Sequence, residues 1–282
     1  MQSAATVRSD IRVLGIGGPS LRQLLSDDSK SWAFDLVADL PSGLEKLRST
    51  AYHVAVVELV NCSLDEIAVV QELRKVRPDT DVILLVEECT PQDVIDAMRS
   101  QAFSYFSKPF DVHAIRDTIL SAASVHEPPD AIQLISASAN YLSLRLRCSV
   151  FTVDRLVQFM SEMPIELSED DRNELGTAFR EMLLNAIEHG GKLNRDEWVR
   201  VSRIRTNRTV VYHIQDPGEG FSRESVDHAA ASGSEDPLAH MMVRTEAGIR
   251  PGGFGMLIAS SLVDEVIYNQ QGNEVILIKY LN

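Results

Sequence analysis

Residues 180–192 read REMLLNAIEHGGK, and this stretch constrains the fold more than any other in the chain. On an α-helix each residue advances about 100°, so positions four apart fall on nearly one line. Glu181, Asn185 and His189 therefore form a polar row. Leu175, Ala178, Phe179, Met182 and Ala186 form an apolar row about a quarter turn away. A helix of this kind buries its apolar row in a core. It leaves beside that core a half-buried line carrying a carboxylate, an amide and an imidazole, which describes the wall of a pocket. The spacing Ser168-x-x-Asp171 is a capping-box start for this helix, and Gly190-Gly191 is its stop.

Two glycine-rich pieces lie downstream. Asp216-Pro217-Gly218-Glu219-Gly220-Phe221 follows the strand-like run TVVYHI. Gly252-Gly253-Phe254-Gly255-Met256 opens the apolar helix LIASSLVDEV. Glycine lets backbone approach a ligand closely, and a helix N-terminus presents unpaired N–H groups to an anion. An Asp at a strand end can accept a hydrogen bond from an exocyclic amine. These features suit a nucleotide, with Asp216 on the base, the Gly252–Gly255 turn on the phosphates and Asn185 on a metal. Each residue also has a plainer role open to it. Asn185 reads equally as a surface amide, Glu181 as the partner of Arg180 or Arg172, and the glycines as turn residues.

Taken together and in this order, the three pieces resemble the GHKL ATPase superfamily, which includes gyrase, MutL and the histidine kinases. The likeness is greatest to the anti-sigma-factor serine kinases of partner-switching systems, and it covers the chain from about Ala131 to its end. E-x-x-x-N-A-x-x-H-G matches the N box, DPGEGF the first glycine box and GGFGM the second. The resemblance implies an α/β sandwich of the Bergerat type, with two or three helices on one face of a mixed sheet. It also implies ATP and Mg²⁺ as cofactors. Glu181 would accept the proton of a serine or threonine hydroxyl, and Asn185 would offer an oxygen to Mg²⁺. Asp216, Gly218, Gly220, Phe221, Gly252, Gly253, Gly255 and Met256 would surround the nucleotide. The segment Ser222–Pro251 would be the lid over the phosphates. Arg250 would reach a phosphate, or else be a solvent-facing loop arginine; Arg244 is a weaker candidate. His189 would line the site or cap the helix C-terminus, the capping role being the preferred one.

The first half alternates strand-like runs (IRVLGI, AFDLVAD, HVAVVELV, DVILLV, FSYFSK) with amphipathic segments. That alternation predicts a doubly wound parallel sheet. It resembles the receiver domain of response regulators, with Lys108 at the place of that family's lysine. The rest of the receiver chemistry is replaced. Gly17 and Gly18 stand where an acidic pair would hold Mg²⁺, Glu58 where the phosphoacceptor Asp would be, and Val86 at the place of the Thr or Ser. The expectation is a pseudo-receiver that is not phosphorylated, in which Glu58 either pairs with Lys108 or is an ordinary solvated Glu.

At 282 residues, two domains are the natural reading. The boundaries fall at 10–126 for the receiver-like domain, 127–131 for a proline-containing linker and 132–282 for the ATPase-like domain. Within the second, Leu142, Leu144 and Leu146 alternate as a strand does. A net charge of −14 argues against direct nucleic-acid binding. No apolar run approaches the ~20 residues of a membrane helix. The N-terminus lacks a signal-peptide core, so the expected location is the cytoplasm. The three cysteines have no metal spacing.

Three functions compete. The first is an ATP-dependent serine/threonine kinase and anti-sigma regulator, commonly a homodimer in such families. Its partners would be a STAS-type anti-anti-sigma protein, a sigma factor, or both. The second is a non-catalytic, nucleotide-dependent interaction module. The third, a histidine kinase, needs a phosphoacceptor His on a two-helix hairpin, and the stretch between Pro129 and Leu142 leaves no room for one.

Overall fold

A computed structural model describes residues 11–26, 31–59, 64–124, 128–220 and 254–281. The chain divides into two compact units. The first ends at Asp130 and also takes in Gln158–Pro164; the second comprises Ala131–Val157 and Ile165 to the C-terminus.

In the first unit, five strands alternate with five helices. The strands are β1 (Arg12–Ile16), β2 (Ala33–Val37), β3 (Val54–Glu58), β4 (Asp81–Val86) and β5 (Ser104–Ser107). The helices are α1 (Pro19–Ser26), α2 (Leu40–Ser49), α3 (Leu64–Val76), α4 (Pro91–Arg99) and α5 (Val112–Ser124). All pairings are parallel, in the order β2-β1-β3-β4-β5. This is the flavodoxin-like winding. Parallel strands need crossover connections, and the helices that provide them cover both faces of the sheet. Accordingly β4 is buried at every position and β3 at all but the last, so both read as continuous apolar runs. Val13, Val54, Val56, Ile83 and Leu85 pack with Leu21, Leu25, Ile115 and Ile119 in one core. Local chemistry starts the helices: Asp39 caps α2, and Thr90 with Asp93 forms a complete capping box on α4.

A single 3₁₀ turn at Pro129–Ala131 leads into the second unit. It continues through β6 (Ile132–Ser138), β7 (Tyr141–Arg147), α6 (Val150–Ser161), α7 (Glu169–Asn185), β8 (Trp198–Arg205), β9 (Thr209–Gln215), α8 (Phe254–Leu262), β10 (Glu265–Tyr268) and β11 (Glu274–Tyr280). The last four residues of α6 fall in the first unit's division of the chain. The sheet order is β10-β11-β9-β8-β7-β6, antiparallel throughout. This corrects the mixed sheet expected from the sequence. The two-helix excursion α6–α7 brings the chain back to the end of the sheet it left, so β8 runs against β7. Burial alternates along β7, β8 and β9, because one face meets helices and the other meets solvent.

The strand signal at Leu142, Leu144 and Leu146 is β7, which pairs with β6 in a hairpin. One further expectation is corrected. The apolar run after the second glycine box is not helical to its end. α8 stops at Leu262, and Glu265–Tyr268 pairs with β11. Pairing at a sheet edge outweighs the helical pattern there.

On the helix-facing side, Phe179 of α7 is 1% exposed and its ring lies 4.4 Å from that of Tyr212 on β9. Large-to-small changes at such sites lose transfer energy and leave a cavity. Phe179→Ala is expected to lower the stability of the second unit by about 3–5 kcal/mol. Chemical denaturation followed by a probe in that unit measures it, with unfolding of the first unit as internal reference.

Candidate functional site

α7 is fixed at its start before any site chemistry arises. Ser168 caps it by accepting from the Asp171 N–H, and Glu169, Asp170 and Asp171 place negative charge in the first turn. The ammonium of Lys279 on β11 lies 2.8 Å from Asp171 and 3.2 Å from Glu174, which ties that turn to the sheet. α7 then carries Glu181 and Asn185, both half-buried.

After Asn185 the helix changes pitch. Ala186–Gly190 is a π-helical turn, with the Gly191 N–H donating to the Ala186 carbonyl at 2.8 Å. A π turn inserts a residue into the spiral, so the four-residue spacing no longer keeps a line. His189 leaves the row of Glu181 and Asn185 and is exposed.

The turn brings Gly190 against the end of β9. A Cβ on Gly190 would lie 2.2 Å from Cγ of Asp216. Only bare backbone leaves room for that carboxyl. Asp216 is further held by its own Oδ1, which accepts from the Gly218 N–H at 2.8 Å. Its backbone N–H donates to the Asn273 carbonyl. Burial raises the Asp216 pKa above the usual carboxylate range, opposed by the Gly218 N–H. Gly220 adopts φ +81°, and a Cβ there would meet the Gln271 carbonyl oxygen at 1.9 Å. The first glycine box therefore rests on the β10–β11 turn. That turn is organised by Asn269, whose Oδ1 accepts from the N–H groups of Gly272, Asn273 and Glu274. Asn269 and Asn273 were not singled out in the sequence, although an Asn pair around Gly272 is a turn signal.

The second glycine box meets α7 from the other side. Gly255, in the first turn of α8, stands where a Cβ would come within 3.2 Å of Glu181 Oε2 and 3.3 Å of Asn185 Nδ2. Met256 follows, half-buried. Glu181, Asn185 and Gly255 are thus brought together, as are Gly190, Asp216 and Gly218. Phe221, Arg244, Arg250, Gly252, Gly253 and the proposed lid 222–251 lie outside the described residues.

The alternative partner of Glu181 is also present. Arg180 binds Asp154 of α6 through Nε (3.0 Å) and Nη2 (2.9 Å), and its Nη1 lies 3.9 Å from Glu181 Oε1. An exposed contact of that length is weak. It engages one oxygen of the carboxylate, and the other, Oε2, is the one beside Gly255.

In the first unit, Glu58 does not pair with Lys108. Its Oε2 accepts from the Gly18 N–H at 2.9 Å and its Oε1 from Ser20 Oγ at 2.6 Å. A Cβ at Gly17 would lie 2.7 Å from Glu58 Cβ, so the loop after β1 is shaped around this side chain. Lys108 instead binds Glu87 at 2.6 Å, and that hydrogen bond raises its pKa. Val86 is 1% exposed. Among the described residues, no group of three or more His, Cys, Asp or Glu is placed to hold a metal, and no helix is long and apolar enough to cross a membrane.

Residues 149–279 match the family described as Histidine kinase-like ATPase domain. No curated protein matches the chain by sequence. Among solved structures, a putative pilus assembly-related protein from Burkholderia pseudomallei is 17% identical. It aligns with 44% of this chain and 100% of its own, at a TM-score of 0.38. A response regulator receiver domain protein from Methanospirillum hungatei is 15% identical over 40% of this chain and 93% of its own, at 0.36. Another from Clostridium thermocellum is 22% identical over 40% and 94%, also at 0.36.

Two outcomes follow from the two sites. A carboxyl whose folded pKa is raised costs stability once pH rises through that pKa, because the unfolded chain ionises more easily. Asp216→Asn keeps an oxygen for the Gly218 N–H and removes the charge. The variant is expected to melt above the parent at pH 7, and the difference should close as pH falls to about 4, near the unfolded Asp value. In the first unit, incubation with acetyl phosphate and Mg²⁺ is expected to leave no acid-labile phosphate, as read by intact-protein mass spectrometry.

Proposed function

From a receiver-like domain joined to a histidine kinase-like ATPase domain, we propose an ATP-dependent serine/threonine protein kinase that regulates a partner-switching pathway. The observation that carries this reading is the meeting of Glu181, Asn185 and Gly255. The family match supports nucleotide binding. A carboxylate with one oxygen at the glycine turn is what adds transfer to binding.

The residues present fit an adenine nucleotide. Asp216, held against Gly190, accepts from the exocyclic amine and selects adenine. Gly218 and Gly255 let the backbone close on the ligand without a Cβ in the way. Asn185 supplies an amide oxygen to Mg²⁺, which takes few protein ligands and neutralises phosphate charge when bound. Such transfer depends mainly on positioning and charge neutralisation. Glu181 Oε2 accepts the proton of the incoming serine or threonine hydroxyl. The hydroxyl oxygen bonds to the γ-phosphorus as the bridging bond to the β-phosphate breaks, and ADP leaves. The partner is a STAS-type protein bearing the hydroxyl, with a sigma factor as the alternative ligand of the same kinase. The kinase is a homodimer, and the receiver-like unit controls it through protein contacts rather than its own phosphorylation.

The test uses labelled ATP, Mg²⁺ and STAS-domain partners of the native host. Label is expected on a partner serine or threonine. Glu181→Ala should reduce the rate by about 10²–10⁴-fold while leaving ATP affinity in calorimetry intact. Asn185→Ala should weaken Mg²⁺-dependent ATP binding itself. Label on one of this chain's histidines, or tight ATP binding with no transfer to any partner, would sink the kinase reading.

A further inference from the structure

We propose that the solvent-facing side of the second unit's sheet carries an oxyanion site, built from Arg145 and Arg200 beside Trp198 and suited to a phosphoryl group. Its arginines stand on the solvent-facing side of β7 and β8, and at its edge the cavity shares Asp216 and Gly218 with the nucleotide reading, Pro217 lying between them.

Three observations converge. A cavity of about 490 Å³ opens there, lined by Arg145, Trp198, Arg200 and Gln215 from the strands and by Gln271 and Asn273 from the β10–β11 turn. That volume is within the range of small-ligand sites, roughly 300–1,000 Å³. Next, Arg145 and Arg200 are direct partners across the antiparallel β7–β8 pair. Like charges directly opposite on one sheet face repel. Among the described residues neither guanidinium has a carboxylate within ion-pair distance, in a chain of net charge −14. Two exposed guanidinia side by side give that part of the sheet face a local positive field that attracts anions.

The third observation is that the cluster is pre-positioned. The Arg145 guanidinium lies 4.4 Å from the Trp198 ring centre and its Nε donates to Gln133 Oε1 at 2.8 Å. The guanidinium of Arg147 lies 4.5 Å from the same ring and donates to the Arg195 carbonyl. Stacking on an aromatic ring fixes a guanidinium plane, so less side-chain entropy is lost when the fork takes up a ligand. With Nε engaged, the two Nη groups of Arg145 remain for an oxyanion. Arg200 has no described hydrogen bond.

Opposing charge in the cavity does not cancel this. Glu197 and Asp216 also line it. One oxygen of the Asp216 carboxyl accepts from the Gly218 N–H, and the group packs against Gly190. Glu197 and Asp216 balance the two guanidinia in formal charge, but among the described residues neither carboxylate is within ion-pair distance of Arg145 or Arg200. Two planar forks match the several terminal oxygens of a phosphoryl group better than a single carboxylate, which one arginine already satisfies. The ligand is a phosphomonoester, either free or on a phosphorylated side chain.

Tryptophan fluorescence of the full chain reads the site directly. Of the two tryptophans, Trp32 is buried in the first unit and supplies a constant background. Titration with inorganic phosphate, and separately with a phosphoserine peptide and its unphosphorylated form, should give a saturable signal that added NaCl weakens. Arg200→Gln and Arg145→Gln should each weaken it about tenfold or more, the effect of losing a charge-assisted contact. Arg200→Lys, which keeps charge but not the fork, should lie between. Stronger binding of the phosphopeptide than of phosphate assigns the ligand to a side chain, and equal binding assigns it to a free ester. Absence of saturation with both phosphorylated probes overturns the proposal. So does a signal indifferent to both glutamine variants, or one abolished by saturating non-hydrolysable ATP analogue, which would locate it in the nucleotide cleft. Arg200 is exposed, so far-UV circular dichroism of its variants should match the parent and exclude misfolding as the cause.

Discussion

A carboxyl group pressed against bare backbone sets the geometry of the second unit. Asp216 ends β9 in the place a side chain on Gly190 would occupy. Burying a carboxylate is costly unless donors meet it. Here the Gly218 N–H does so, and the Asn273 carbonyl holds the residue's own N–H. Sheet, helix end and glycine box are thus locked by one residue, whose pKa burial raises. Cys148 shows the same economy of space. Its sulfur fills the position where Gly191 would carry a Cβ, and burial pushes its thiol up to about 11, leaving it unreactive at neutral pH.

The helix that carries the site is straight where it must be stiff and altered where it must turn. α7 is capped at Ser168, tied to β11 through Lys279 and packed on Tyr212 through Phe179. Those contacts hold Glu181 and Asn185 against α8, where the glycine at position 255 lets the two helices approach. The π turn that follows lifts the last residues out of register and delivers Gly190 to Asp216. The change of helical pitch thus lies between the Glu181–Asn185–Gly255 cluster and the Gly190–Asp216 contact.

The first unit has a flavodoxin-like winding whose order, parallel register and core depend on apolar runs between helices. The polar side chains at its strand ends are engaged locally. Glu58 turns to the loop backbone at Gly18 and to Ser20, and Lys108 turns to Glu87. Packing and reactivity rest on different residues.

Much of this was legible in the residues themselves. The parallel sheet followed from apolar runs between amphipathic segments, and the start of α7 from Ser168-x-x-Asp171. Both are local patterns, in which neighbours in sequence are neighbours in space. The approach of Gly255 to Glu181 and Asn185 was legible only through the resemblance of the three motifs. Other features had no local signal. The π turn, the strand β10, the all-antiparallel order and the partner of Lys108 were settled by which distant groups competed for the same hydrogen bonds and space. The sequence by itself determined most helices and strands, β10 and the π turn excepted, and which residue types could carry chemistry, because propensity and periodicity act over a few residues. Only the tertiary structure decided that Asp216 sits on Gly190, that His189 faces solvent and that Arg145 meets Arg200, because those are contacts between residues far apart in the chain, fixed by packing.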